Sequence, residues 1–446
     1  MIKDIDGSGK IKILLVASDN QGVGHFRTIW PAQFLKSKYG NQVSLKVTLN
    51  PKMDIEHLSQ YDIIHFHRNL GAYENSETLF PQLKAKGVTL ICDIDDYWNP
   101  PSTHPLYSVI KNDKMDEKIR RNLELSEYIT TTTEIFAEQI RKEIKDAKVY
   151  VIPNALNLKE KMWKSDVVEN PTDKVRIAWI GGSSHLSDLK LLEPSMEKLN
   201  SSQPLKDKYQ FVMCGFDTRG SITEIHPNGE KRVRKIEPWE SVWVNFEKIF
   251  TSDYKLIEDS GEYFGWLQKF KREEYPERYL ENYVRRWTLP LTKYGHHYDY
   301  CDVCLAPIAE KAEHVTEKGQ RMKVDHIFNL VKSELKIIEA GVKKKVLIAQ
   351  DFGIYKELLK HDETGILVSD NKKGWYKEIK RVIEDADLRE RLTENLHSWV
   401  MERYTLDKVT DTRMAIYEEI LEKKNKITDI EYLEKNLLAS LKTPQE

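Results

Sequence analysis

The chain runs twice through one pattern, in which short apolar runs alternate with longer amphipathic stretches. That alternation implies parallel sheets, because parallel neighbours need a connection long enough to carry the chain back over the sheet. The first set of runs is Ile11–Ala17, Val43–Val47, Asp62–His67, Val88–Asp93, Tyr128–Thr132 and Val149–Ile152. Helical spacing fills Trp30–Tyr39 and Glu134–Lys145 between them. A polar stretch with Asn170-Pro171 follows, and the pattern restarts with Val175–Gly181, Gln210–Cys214, Asp302–Ala306 and Lys345–Ala349.

At 446 residues the chain is too long for one ordinary core. The expectation is an α/β protein of two Rossmann-like domains facing across a cleft, with insertions in the second. The boundaries read as 1–158 for the first domain, 159–174 for a linker and 175–403 for the second domain, with an insertion at about 216–295. Residues 404–446 read as C-terminal helices crossing back to the first domain, Tyr404–Ile420 above all, and a tail. The insertion and a polar stretch at 309–327 read either as lids or acceptor loops or as solvated surface.

Composition narrows the partners. A formal net charge of −2 argues against nucleic acid, whose binders carry a basic excess. No apolar run approaches the roughly 18 residues of a membrane span, and Met1–Lys10 lacks the apolar core of a signal peptide. The chain is expected to stay in the cytoplasm, with a weak peripheral membrane contact left open. Of the four cysteines, Cys301 and Cys304 form a C-x-x-C within what reads as a buried strand. Residues three apart on a strand face opposite ways, so this pair is expected to be structural.

Candidate chemistry sits where strands end. Gly22-Val-Gly24-His-Phe-Arg27 lies between the first strand and a helix, where glycines permit close backbone approach and the helix start favours an anion; a plain tight turn is the alternative. Arg27 stands where a dinucleotide fingerprint needs its third glycine, which disfavours NAD. Gly181-Gly182-Ser183-Ser184 repeats the arrangement before the helically spaced Leu186–Leu199, with Asp188 in the opening turn, and could hold a diphosphate. His65 and His67 share one side of their strand, and each reads as a sugar-hydroxyl partner, an acid or base, or a packed histidine. Asp93, Asp95 and Asp96 could meet sugar hydroxyls or close a structural turn; a divalent metal is the weaker reading. In Phe328–Gly341, Lys332 and Ser333 are expected in a helix's first turn beside a phosphate, with Glu339 two turns on, near a ribose. A charged surface helix is the alternative. Trp239, Trp243 and Trp266 suit either carbohydrate stacking or a core.

Together with Val151-Ile-Pro-Asn154-Ala, Asp302–Pro307 and Thr364–Val368, these segments make the chain resemble the family-four-type glycosyltransferases of the GT-B fold, especially bacterial members acting on cell-surface polysaccharides. The resemblance implies a retaining hexosyltransferase that needs no metal or other cofactor. Its donor, a UDP- or GDP-sugar, would be bound mainly by the second domain, and its acceptor, a glycan or lipid-linked glycan, mainly by the first. Donor contacts would come from Gly181, Gly182, Ser183, Asn329, Lys332, Ser333 and Glu339. Gly22, Gly24, Arg27, Asp95 and Asp96 would form the acceptor or phosphate loop, with His67 and Lys332 catalytic. Glu339 matches the second glutamate of the family's E-x7-E motif, while Val331 replaces the first. Gly182 stands where many relatives have arginine, so Lys332 is expected to supply the positive charge. Oligomeric state is not readable. The alternatives are a GT-B binding protein without turnover, a sugar epimerase, a phage-type DNA glucosyltransferase and an NAD dehydrogenase; the near-neutral charge weakens the third and the first loop the fourth.

Overall fold

The computed structural model describes residues 10–440, apart from 72–75, 165–167, 171, 218–220, 227–228, 237–239, 253–281, 316–319 and 370–372. Trp239 and Trp266 therefore lie outside the described residues, as does the end of the tail. The chain divides into two compact units. One comprises Met1–Asp95, Glu117–Ala155 and Tyr404–Glu446, and the other Asp96–Asp116 and Leu156–Arg403.

The first unit is built on a parallel sheet of β1 (Ile11–Val16), β2 (Val43–Thr48), β3 (Ile63–His67), β4 (Thr89–Ile94), β5 (Tyr128–Thr131) and β6 (Val149–Val151). The strand order is β2-β1-β3-β4-β5-β6. Strands β3, β4 and β5 are buried along their whole length, as parallel strands covered on both faces must be. Registers such as His65↔Ile91 and His67↔Asp93 bring the polar ends of β3 and β4 side by side.

Arg27 and Asp93 form a buried ion pair in this unit. The Arg27 guanidinium donates to Asp93 through Nε (2.9 Å) and Nη2 (2.6 Å), and through Nη1 to the Ile152 carbonyl (2.8 Å). Both side chains are almost fully buried. Burial alone would raise the Asp93 carboxyl, but Arg27 holds it well below the usual range. This corrects the expectation that Arg27 serves a phosphate loop, because its donors point inward to a carboxylate 66 positions away. It likewise removes Asp93 from the metal reading. His65 is a core histidine: its ring nitrogens meet the Tyr417 hydroxyl (2.7 Å) and the Thr130 hydroxyl (2.9 Å). Burial depresses its pKa to about 3, so the ring is neutral. Tyr417 belongs to the helix Leu406–Ser440, which also supplies Arg413 to the carbonyl of Arg27 (3.2 Å).

The second unit holds another parallel sheet: β7 (Val175–Ile180), β8 (Tyr209–Phe216), then, beyond a hairpin, β11 (Tyr283–Trp287), β12 (Val303–Ala306), β15 (Val346–Gln350) and β16 (Ile366–Val368). The hairpins are β9 (Ser221–Ile225) with β10 (Lys231–Lys235), and β13 (Lys311–Val315) with β14 (Arg321–Asp325), both antiparallel. Sheet order is β11-β8-β7-β12-β15-β16. Strand β11 lies inside the stretch read as an insertion. Two arginines disguise it: Arg285 is paired with the buried Glu247 (2.5 and 2.7 Å), and Arg286 lies over the Tyr300 ring. Trp243 is a core residue, 5% exposed among Trp179, Phe216 and Phe246.

The alternation argument fails for the C-x-x-C pair. Strand β12 starts at Val303, so Cys301 precedes the pleat, and the two buried sulfurs lie 3.7 Å apart. Among the described residues, no group of three metal-ligating side chains forms, and no helix is long and apolar enough to cross a membrane.

The Arg27–Asp93 pair sets a pH signature. Its stabilisation is complete above the unfolded aspartate pKa of about 3.9 and is lost as pH falls through the lower folded value. Arg27→Met leaves a buried carboxylate unpaired and should cost roughly 3–5 kcal/mol at pH 7. Denaturant melts from pH 7 down to 4.5 should show this deficit shrinking in the variant, as protonation relieves the buried charge. A deficit that is constant with pH would refute the pairing.

Candidate functional site

In the second unit, the segment after β7 is held by one carboxylate. Gly181 and Gly182 leave the strand, and Ser183–His185 forms a short 3₁₀ turn that runs into Leu186–Leu189. The single helix expected through Leu199 is broken into short pieces, and its main segment, Glu193–Ser201, opens on Pro194, which has no N–H to continue an earlier turn. Asp188 is 2% exposed. Its Oδ1 accepts from the Ala309 N–H (2.7 Å), beyond β12, and from the Asn329 side-chain amide (2.7 Å). Its Oδ2 faces His185 Nδ1 at 2.7 Å. Asn329 also donates to the Ala309 carbonyl (3.0 Å), so it braces the site rather than offering its amide to a ligand.

The N–H groups of Gly182, Ser183 and Ser184 have no acceptor among the described residues. A Cβ on Gly182 would meet nothing within 4 Å, whereas one on Gly181 would lie 2.6 Å from the Trp179 ring. Gly181 is therefore needed for packing, and Gly182 leaves the backbone open to approach. The sequence reading passed over His185, although it stands only three residues beyond Gly182.

Lys332 and Ser333 do not occupy a first helical turn. The helix is Leu335–Val342 with Glu334 as its N-cap, so both residues lie in the preceding loop. The Lys332 ammonium sits 3.5 Å from an Asp96 oxygen and 4.0 Å from the centre of the Phe328 ring. Glu339 is deep in the helix, 4% exposed, and accepts the Tyr298 hydroxyl at 2.6 Å. Burial raises its pKa, with Lys336 opposing. Val331, at the position of the absent glutamate, is 1% exposed.

The first unit's glycine loop is closed on itself. Asp19 Oδ1 accepts from the Gln21 (2.8 Å) and Gly24 (3.1 Å) N–H groups, placing a carboxylate where an anionic ligand would bind. Those bonds keep the Asp19 pKa low although burial opposes them. His67 is 1% exposed and meets the Ser18 hydroxyl (2.9 Å) and Asp95 (2.8 Å). Asp95 also accepts from Arg68 at 2.8 Å; burial opposes, but Arg68 and His67 hold its carboxyl well below the usual range.

Two substitution sets test this geometry. A Cβ on Gly24 would fall 1.9 Å from the Asp19 carbonyl oxygen, while Gly22 has open space. Gly24→Ala should cost about 1–3 kcal/mol and Gly22→Ala essentially nothing, measured by chemical denaturation. Asp188→Ala strands the donors of Ala309 and Asn329 and should cost about 1–3 kcal/mol for the buried donors left unpaired. A cost within error of zero would refute its bracing role.

No family model matches the chain, and no curated protein sequence matches it significantly. Solved structures do. The chain is similar to sucrose-phosphate synthase from Thermosynechococcus elongatus, with a TM-score of 0.55 at 12% identity over 93% of this chain and all of that one. It is similar to a glycosyltransferase from Rickettsia africae, with a TM-score of 0.54 at 14% identity over 92% of this chain and 99% of that one. It is also similar to Anabaena HepE in complex with UDP and glucose, with a TM-score of 0.54 at 10% identity over 92% of this chain and all of that one. With its two six-stranded parallel sheets, the chain has the α/β fold of GT-B glycosyltransferases.

Proposed function

We propose that the chain is a glycosyltransferase that moves a hexosyl group from a UDP- or GDP-sugar to a glycan or lipid-linked glycan acceptor, with retention of configuration. The observation carrying this reading is the convergence at Asp188, which ties the open loop Gly181–Ser183 to Ala309 and Asn329, three residues before Lys332. Unpaired amides and an ammonium on adjoining loops of one unit suit a leaving diphosphate, whose charge grows as the glycosidic bond breaks. The Lys332–Asp96 contact is partly exposed and worth little, so a diphosphate can take its place. Ser333 would add a hydroxyl to the phosphate. Glu339 would receive the ribose hydroxyls once they replace the Tyr298 hydroxyl.

In the first unit, His67 and Asp95 would serve the acceptor. His67 would exchange its Ser18 partner for an acceptor hydroxyl while Asp95 holds the other ring nitrogen. HepE, in the complex with UDP and glucose, shares the fold. A site in the cytoplasm, with loose membrane attachment, fits such a donor.

A second reading, a sugar-binding protein without turnover, draws on Val331, which is buried where relatives place a carboxylate. Thermal shift with UDP, GDP, ADP and NAD, followed by assay of nucleotide release from the matching sugar donors, separates the readings. One nucleoside diphosphate should stabilise the chain by about 2.7 kcal/mol at a hundredfold excess over its Kd. Lys332→Ala should weaken it about tenfold, the scale of one charge-assisted hydrogen bond. Binding without release would favour the second reading, and stabilisation by NAD alone would overturn both.

A further inference from the structure

A separate cavity of about 240 Å³ lies in the second unit, where the segment Tyr97–Lys111 packs on the β13–β14 hairpin and the turn after it. The segment is fixed there by the Ser102 hydroxyl donating to the Glu313 carbonyl (3.2 Å) and by His104 against the Phe328 ring (5.3 Å). Tyr97, Tyr107 and Phe328 provide aromatic walls, and Asn99, Lys111 and His326 provide polar groups. The polar groups are directed by their neighbours. Lys111 donates to Asn99 Oδ1 at 2.8 Å, which leaves the Asn99 amide N–H groups for a ligand. His326 Nδ1 accepts the Asn329 N–H (3.2 Å), so the proton of the neutral ring sits on Nε2; burial lowers its pKa and keeps the ring neutral.

From this arrangement we infer that the cavity is a sugar subsite separate from the His67–Asp95 pair, holding one pyranose ring of the acceptor stacked on the tyrosines and hydrogen-bonded through its hydroxyls to Asn99 and His326. Aromatic faces match the C–H faces of a sugar, and convergent N–H donors match its hydroxyl rim. The volume is below the roughly 300 Å³ at which pockets begin to take drug-sized ligands, which limits it to about one ring. Phe328 lines the cavity and carries the Lys332 ammonium on its ring, so the subsite adjoins the cation assigned to the donor diphosphate. The inference rests on the transferase reading and adds to it where the acceptor is read.

The test is saturation-transfer NMR on the full chain with methyl glycosides of glucose, galactose, mannose and N-acetylglucosamine as probes. At least one glycoside should receive transfer on its ring protons, and the signal should persist under saturating nucleoside diphosphate. Tyr107→Ala and Asn99→Ala should each reduce it at least fivefold. Asn99 is exposed, so its variant keeps the test decisive should Tyr107→Ala fail to fold. A signal displaced by the nucleotide would place the sugar in the donor site and overturn the inference. No transfer to any glycoside, with the nucleotide stabilisation intact, would overturn it and leave the transferase reading standing. Loss of both would overturn both.

Discussion

Two segments distant in sequence, at Ala309 and Asn329, donate to one buried carboxylate, Asp188, whose other oxygen faces the neighbouring His185, and the proposed binding edge of the second unit depends on that convergence. A buried anion is costly unless its oxygens are saturated with donors. Here the backbone of Ala309, the amide of Asn329 and the ring of His185 meet that need together. Moving any of them would leave the charge undersatisfied, so the loop after β7 and the chain after β12 keep a fixed spacing. The first unit uses the same device. Asp93 takes the Arg27 guanidinium and the Thr130 hydroxyl (2.6 Å), and Arg27 in turn reaches the Ile152 carbonyl at the end of the sheet.

The two glycine loops look alike in sequence and differ in what their amides do. In the first unit Asp19 fills the turn with a carboxylate of its own, and Gly24 is required because the Asp19 backbone passes too close for any side chain. In the second unit the amides of Gly182–Ser184 have no acceptor among the described residues. An anion therefore has a favourable place on one loop and meets a like charge on the other. That asymmetry, together with Lys332 on the second unit, is the physical basis for assigning the diphosphate there.

Most strands of both sheets were legible because parallel strands buried on two faces read as apolar runs, as in Val346–Ala349 and, with His65 set inside it, Ile63–Phe66. Strands whose polarity is compensated at a distance were not. Strand β11 carries two arginines that become buriable only through Glu247 and Tyr300, and hairpin strands such as Lys231–Lys235 and Arg321–Asp325 look like solvated loops. Position at a strand end was the sequence signal for Gly181, Gly182 and His67, and the helix expected after Phe328 was the signal for Lys332; their part in binding a ligand belongs to the proposal. The role of Arg27 was not legible, because a cation next to a glycine loop looks like an anion ligand until its partner Asp93 is seen. Lys332 and Ser333 were placed one turn too far into the helix, since nothing local marks Glu334 as the start.

The most direct test of the account is a structure of the chain with the nucleoside diphosphate that stabilises it. The account predicts the diphosphate against the N–H groups of Gly182 and Ser183, with the Lys332 ammonium moved from Asp96 onto a phosphate oxygen. A diphosphate seated instead at the Asp19–Gly24 loop, or a Lys332–Asp96 contact unchanged in the complex, would contradict it.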